Sequence, residues 1–130
     1  MPKHLKFVQL EITAANTMPD PEPCRCNPGD KLYFVITNDD ATAHWVSIDS
    51  ADIKLKEDLT AANPLLPGSH MVKVNPGETD IIKGHKVQAV FGKTQPLKFT
   101  TYKYTVVWAD NQGLTTNMKQ KDPDFDITPP

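Results

Sequence analysis

The sequence predicts an all-β protein folded as a β-sandwich. Twelve prolines and six glycines are spread among short β-branched and aromatic runs in a chain of 130 residues. Prolines at this spacing interrupt helices, which need an unbroken 3.6-residue periodicity, but they are typical of strands joined by turns. We expect about seven or eight strands, a long connection around residues 50-68 and one domain spanning residues 1-130.

The first strand is predicted over residues 5–12. Val8, Leu10 and Ile12 share one parity there, as the core-facing positions of a strand do. Three prolines between residues 16 and 23 then break the pattern. This segment is therefore expected to be a loop.

The next two strands differ in their patterns. Residues 32–36 are apolar at every position, which is typical of a central strand. After a turn at residues 38–40, residues 44–49 alternate, and the parity places His44 on the core-facing side and Trp45 on the other. His44 is therefore expected to point into the core, and Trp45 to be partly exposed.

The connection from residue 50 to residue 67 is left with two alternatives. Ile53 and Leu55 suit a short edge strand, whereas residues 56–62 suit one or two helical turns before Pro64. Strands are expected again around residues 72–74, 81–82 and 87–91, the first two separated by a Pro-Gly turn.

The longest β segment is predicted over residues 97–108. Its even positions carry much of the aromatic mass of the chain and should share one face: Tyr102, Tyr104, Val106 and Trp108. A short terminal strand over residues 122–127 should place Phe125 and Ile127 on one face.

Three segments together resemble the cupredoxins. They are Asn27-Pro28-Gly29-Asp30 before an apolar strand, Asn38-Asp39-Asp40 followed by Ala43-His44-Trp45-Val46, and Asn75-Pro76-Gly77-Glu78 before a later strand. The resemblance covers most of the chain from Cys24 onward, and the stretch from Tyr102 resembles bacterial members of this group that lack copper. It implies a Greek-key sandwich of two sheets, the cupredoxin-like type.

The same resemblance argues against a blue-copper centre. The family holds copper with an early His, then a Cys, a second His and usually a weak axial Met, and His44 matches the early ligand. Val106 and about Ala109 stand at the places of the Cys and the second His, while Met118 lies near the axial position. Since a type 1 centre depends on its thiolate bond, electron transfer is not expected.

Cys24 and Cys26 allow two interpretations. In a strand, residues i and i+2 face the same way, so these cysteines can offer two thiolates to a soft ion such as copper or zinc. Free cysteine also behaves as a small buried apolar residue, and we favour that structural interpretation.

A second metal hypothesis joins His44 to His70 and His85. These histidines lie on separate predicted strands or turns, and Met71 follows His70 directly. If they converge at one end of the sandwich, they form a copper site without thiolate. Their sequence spacing contains no close pair that would establish this.

Composition indicates few other functions. Fourteen basic and sixteen acidic residues are scattered along the chain, which gives no basic stripe for nucleic acid or an anionic membrane. No apolar run reaches the length of about 20 residues that spans a bilayer, so cytoplasmic is the default location, with an exported mature chain as the alternative. No nucleophile motif or phosphate loop indicates an enzyme.

We therefore expect a non-enzymatic binding or structural module that acts through a protein partner or as a homodimer. The alternative is a protein that binds copper or another soft metal through Cys24 and Cys26, or through a His and Met cluster around His44. Outside that alternative, no cofactor is expected.

Overall fold

The computed structural model describes residues 5–22, 24–57, 59, 61, 69–87 and 100–128, with the backbone alone at residues 50, 69 and 83–86. Eleven strands and one 3₁₀ turn, at Ser50–Asp52, are present in this part of the chain. The strands are β1 (Leu5–Ile12), β2 (Cys24–Cys26), β3 (Lys31–Asn38), β4 (His44–Asp49), β5 (Lys54–Leu55), β6 (Ser69–Val74), β7 (Thr79–Lys86), β8 (Thr100–Lys103), β9 (Val106–Ala109), β10 (Lys119–Lys121) and β11 (Asp124–Ile127). The predicted all-β fold is confirmed, with more strands than the seven or eight expected.

The strands form three short sheets that enclose one core. Their orders are β1-β3-β7, β10-β9-β4-β6 and β2-β11-β8-β5. Two neighbouring pairs, β1 with β3 and β2 with β11, run parallel. The other pairs between named strands run antiparallel. The architecture is a β-sandwich.

The core is built from the inner parity of each sheet. Val8, Leu10 and Ile12 of β1 are buried, as their alternation predicted. The same cluster takes side chains from all three sheets, among them Phe34, Ile36, Val46, Ile48, Val74, Ile82, Tyr102, Trp108, Phe125 and Ile127. Burial of this apolar surface is the main favourable contribution to folding.

The prediction of one long strand over residues 97–108 is wrong. The described part forms two strands, β8 and β9, which belong to different sheets. Between them the Tyr104 amide leaves the strand ladder and donates to the Pro123 carbonyl at 3.0 Å. The predicted common face is nevertheless confirmed, because Tyr102, Tyr104, Val106 and Trp108 are all buried.

The connection after β4 contains the short strand that one alternative predicted. Ile53 is fully buried, and β5 pairs with β8 through Lys54–Lys103 and Leu55–Tyr102. The helical alternative over residues 56–62 falls partly outside the described residues, as does most of the strand predicted over residues 87–91.

The two Pro-Gly turns form as predicted. Gly29 and Gly77 have φ angles of 94° and 76°, a region that glycine enters without a Cβ clash. No helix in the described ranges is long and apolar enough to cross a membrane.

Candidate functional sites: a buried histidine, a cysteine pair and an apolar face

His44 begins β4 and lies inside the sandwich, as its parity predicted. Its side chain is only 1% exposed, and its backbone stands opposite Val74 of β6. A buried imidazole needs polar partners, because loss of hydration without new hydrogen bonds is costly. Its partners are two carboxylates from loops at this end of β4 and β9.

The two ring nitrogens of His44 face different aspartates. Nε2 lies 2.8 Å from Oδ2 of Asp40 in a hydrogen bond, and Nδ1 lies 3.0 Å from Oδ1 of Asp110. The second contact has the distance of an ion pair but not the alignment of a hydrogen bond. A neutral imidazole donates from one nitrogen only, whereas an imidazolium donates from both.

The hydrogen bond with His44 also affects Asp40. Together with the Ala41 amide, which donates to Oδ1 at 2.8 Å, it holds the pKa of the Asp40 carboxyl below its usual range. Both contacts favour the ionised carboxylate, so Asp40 is a stable negative partner for the ring.

Asn38 positions Asp40. Its side chain is fully buried and donates to the carbonyls of Thr42 and Val74, each at 2.9 Å. Its Oδ1 accepts the Asp40 amide at 2.9 Å. One buried amide thus links the β3–β4 loop to β6 and fixes where Asp40 stands.

Asp110 is held by the loop that follows β9. Its Oδ2 accepts from Nδ2 of Asn117 at 2.8 Å, and its amide donates to the Thr116 carbonyl at 2.9 Å. Asn117 has a φ of 49°, a left-handed conformation that asparagine tolerates better than most residues. The acidic partner therefore comes from a turn rather than from a strand.

This arrangement bears directly on the predicted ligand His44. Both ring nitrogens face carboxylates, so a metal bound to His44 would displace one of them. Val106 and Ala109, at the places of the missing Cys and His, are buried apolar residues. Met118 is 53% exposed and directly precedes β10.

His70 and His85 are not brought to His44 as far as the structure describes them. His70 stands opposite Ile48, four residues along β4 from His44, which corresponds to about 13 Å along the sheet. The backbone of His85 lies in β7, but its side chain is outside the described part. In the described ranges no three His, Cys, Asp or Glu side chains are grouped to hold a metal ion.

Cys24 and Cys26 do come together. They share one face of β2, with their sulfur atoms 3.7 Å apart in a thiol–thiol hydrogen bond. Cys26 is fully buried in the core, as the structural interpretation predicted, whereas Cys24 is only partly buried. The hydrogen bond from Cys26 lowers the pKa of the Cys24 thiol, and the same bond and burial raise the pKa of Cys26.

Cys24 lines a surface cleft of about 510 Å³. The remaining lining residues come from β8, β11, the loop before β2 and the segments that follow β5 and precede β11: Asp20, Pro21, Lys56, Thr101, Lys103, Asp122, Pro123, Asp124, Phe125 and Asp126. Both lysines contact Asp124, at 2.7 Å from Lys56 and 3.0 Å from Lys103. Asp20 and Asp126 are also paired, with Lys121 at 2.7 Å and with Arg25 at 3.8 Å, so the charges around the partly buried thiol are nearly balanced.

The outer side of sheet β1-β3-β7 is unusually apolar. Leu5 and Phe7 are each 51% exposed and Ile81 is 49% exposed. The Phe7 ring stacks on Tyr33 at 5.4 Å, and Val35 stands opposite Ile81 in the strand register. We call these five residues the apolar face. Sequence alternation identified only the inner parity of β1, so this face was missed.

Comparison with known proteins supports the fold. No protein-family model matches the sequence, and no curated protein is significantly similar to it. The chain is a β-sandwich protein. Its fold is similar to the E. coli chaperone DraB, with a TM-score of 0.60 and 11% identity over 98% of this chain and 57% of that one.

Two further structures are similar. A chain in the structure of the Salmonella enterica SafA pilin in complex with the SafB chaperone has a TM-score of 0.55 and 12% identity, again over 98% of this chain and 57% of that one. A multicopper oxidase that functions in iron import gives a TM-score of 0.38 at 7% identity, over 97% of this chain and 28% of that one. The chain thus spans little more than half the length of the chaperone-related chains.

Two residues of the histidine site were not predicted from the sequence. The sequence marks Asp40 only as part of a turn and gives no signal for Asp110. The available signal was the inward parity of His44, because a buried histidine requires a polar partner. Asp40 is near His44 in the sequence, whereas Asp110 approaches the ring only in the folded chain.

Proposed function

We propose that this chain is a non-enzymatic β-sandwich module that acts through protein contact, and that its partner is a second copy of itself. The observation that carries the proposal is the apolar face. Large apolar side chains grouped on one exposed surface are typical of interaction sites. The similar structure that contains a chaperone and its pilin shows that a related fold is compatible with protein binding.

Charge at the two ends of the face favours a second copy as the occupant. Lys31 stands beside Leu5 at one end, and Glu11 stands beside Thr37 at the other. A two-fold axis across the strands places the basic end of one copy on the acidic end of its partner and stacks the apolar centres. Closed two-fold contacts of this kind are the commonest form of self-association.

The size of the face indicates a modest affinity. Three strands of eight residues measure about 14 Å by 26 Å, which is small for a stable interface. We therefore expect a reversible dimer whose population rises with protein concentration.

Sedimentation velocity over a wide concentration range tests this arrangement. Ile81→Lys should shift the chain to monomer, whereas Met118→Lys, at an exposed apolar residue away from the face, should not. Lys31→Glu should weaken the dimer, and adding Glu11→Lys should restore it because the two ends exchange charge. A wild-type chain that stays monomeric, or a double charge reversal that fails to rescue, contradicts self-association through this face.

We also propose that the sandwich is of the cupredoxin-like type without a blue-copper centre. His44 opens β4 at the end of the sandwich where the loop after β9 contributes Asp110. The support is that a carboxylate, rather than a thiolate or a second imidazole, reaches the ring from that loop. Absorption spectra after Cu(II) addition should show no intense thiolate charge-transfer band; such a band would contradict the proposal.

One observation favours soft-metal binding as a second function. The sulfurs of Cys24 and Cys26 are 3.7 Å apart, close to the separation of about 3.8 Å expected across a tetrahedral ion with Zn–S bonds of about 2.3 Å. Titration of the reduced chain with Cu(I) and Zn(II) under native mass spectrometry tests it. Binding should be lost in Cys24→Ser and retained in His44→Ala; equal binding by Cys24→Ser and the wild type contradicts this use of the pair.

A further inference from the structure

The two cysteines differ from each other in the way that an exchange pair requires. Cys24 opens onto the cleft, whereas Cys26 stands behind it in the core with its sulfur 3.7 Å away. An outer thiol can meet a substrate and an inner thiol can then resolve the product. We propose that Cys24 and Cys26 carry out thiol–disulfide exchange with small disulfides that enter the cleft.

The reaction balances over two displacements. The Cys24 thiolate attacks one sulfur of the substrate disulfide, and the other substrate sulfur leaves as a thiolate that takes a proton from water. Cys26 then loses its proton to water and attacks the Cys24 sulfur, which releases the second substrate thiolate. The substrate disulfide gains two electrons and two protons, and the protein ends with a Cys24–Cys26 disulfide.

The position of each thiol suits its step. Cys24 is partly buried and lines the cleft, so a substrate disulfide can reach its sulfur. Cys26 is fully buried, so its sulfur is shielded from the substrate and lies only 3.7 Å from the Cys24 sulfur that it attacks in the second step.

The product disulfide should be strained and readily reduced. Cα atoms two residues apart in an extended strand lie about 6.6–6.8 Å from each other, at the upper limit for a disulfide. β2 has three residues and ends the order β2-β11-β8-β5, so it can bend by releasing its pairing with β11. Strained disulfides have more oxidising potentials, and the dithiol is expected to be the resting form.

The size of the cleft, rather than its charge, limits the substrate class. Lys56 and Lys103 contact Asp124, while Lys121 lies 2.7 Å from Asp20 and Arg25 lies 3.8 Å from Asp126. The four aspartates that line the cleft are therefore balanced by four cations. A volume of about 510 Å³ suits a small disulfide.

Three probes of different charge test the proposal: cystamine, hydroxyethyl disulfide and oxidised glutathione. Each is mixed with the reduced full chain in the presence of a metal chelator, and the products are alkylated and weighed as intact protein. The wild type should lose two hydrogen atoms in mass without acquiring an adduct. The small cystamine and hydroxyethyl disulfide should react faster than the larger oxidised glutathione, at low and at high ionic strength alike.

Variants separate the two steps. Cys24→Ser should not react, and Cys26→Ala, which places no polar group in the core, should stop at a mixed disulfide on Cys24. A wild type that also stops at the mixed disulfide overturns the exchange pair. A rate for oxidised glutathione equal to that for hydroxyethyl disulfide overturns the proposed substrate class. Neither result bears on self-association, which is measured separately with the cysteines reduced.

Discussion

The buried ring of His44 contacts two carboxylates that lie at the edge of the core. The side chains of Asp40 and Asp110 remain 15% and 21% exposed, so each keeps part of its hydration. The ring therefore gains polar partners without forcing either carboxylate fully out of water, which would be costly. The histidine site is stable because its charges lie at the end of the sandwich rather than at its centre.

Asp40 should make the stability of the fold sensitive to acid. Its pKa is lowered in the folded state, so the native chain binds fewer protons than the unfolded chain near pH 4, and stability falls as pH decreases through that range. Asp40→Asn should therefore lower the unfolding free energy at pH 7 and flatten its decline between about pH 5 and pH 3. Urea titrations across that range measure both effects. Asp39→Asn, at the exposed neighbouring carboxylate, is the matched control, and equal pH profiles for the wild type and Asp40→Asn contradict this role.

Asn38 should be more costly to remove than its size suggests. Asn38→Ala leaves the carbonyls of Thr42 and Val74 without these donors and frees the Asp40 amide. The expected loss is about 2–4 kcal/mol of unfolding free energy, since buried polar groups would be left unpaired. Denaturant unfolding measures it against Asn75→Ala, where an exposed amide contacts Glu78. A loss no larger than that of the control would show that Asn38 does not organise the loop.

Among the elements, β8 and β9 connect two sheets, because the chain passes from one sheet to the other between them. β8 pairs with β11 and β5, while β9 pairs with β4 and β10. Tyr104, between the two strands, packs against Phe34 at 5.1 Å and Phe125 at 5.9 Å. One continuous stretch of chain thus joins two sheets around the same aromatic group.

Strand β11 should hold the sandwich together through Phe125. Its ring is 1% exposed and stacks on Tyr102 at 5.4 Å. Phe125→Ala should lower the unfolding free energy by about 3–5 kcal/mol, because it removes buried area and leaves a cavity. Met118→Ala, which truncates an exposed side chain, should cost well under 1 kcal/mol in the same assay. Similar losses for the two variants would mean that β11 packs loosely.

The success of prediction differed among elements for a physical reason. Strands β1, β3 and β4 were predictable because burial on one side or both imposes a visible pattern, and turns bound them. The change of sheet at Tyr104 was not predictable, because inward-facing residues continue to alternate from Tyr102 to Trp108 without a proline or glycine. Strand β10 was missed because Lys119-Gln120-Lys121 is polar throughout. The local alternation of apolar residues indicates which side chains are buried. Which strands pair in a sheet depends on segments that are far apart in the sequence.

The same limit applied to the candidate sites. The inward parity of His44 and the shared face of Cys24 and Cys26 followed from strand geometry. The Asp110 carboxylate on the ring and most of the cleft beside Cys24 come from segments far along the chain, whereas Asp40 lies only four residues before His44. The sequence therefore predicted the orientation of His44 and of the two cysteines. The groups that surround these side chains could be identified only in the folded structure.

For the molecule as a whole, low net charge leaves self-association weakly opposed. The formal charge is −2 over 130 residues, so two copies repel each other little at long range. In the proposed dimer, the two copies meet through the apolar face. The opposite charges at its two ends set the orientation of one copy on the other. A dimer formed in this way leaves the histidine end and the cysteine cleft on other parts of the surface.

Self-association should also appear as a dependence of thermal stability on concentration. Because the partner binds only the folded chain, each tenfold increase in wild-type concentration should raise Tm by about 2–4 °C where the dimer is populated. Ile81→Lys should have a Tm that does not change with concentration, because a lysine on the apolar face cannot be buried without a partner. Differential scanning calorimetry at several concentrations measures this, with Met118→Lys as the exposed control that keeps the wild-type slope. If Ile81→Lys retained that slope, the contact would lie elsewhere; if the wild type had none over the range in which sedimentation shows dimer, binding would not be coupled to folding.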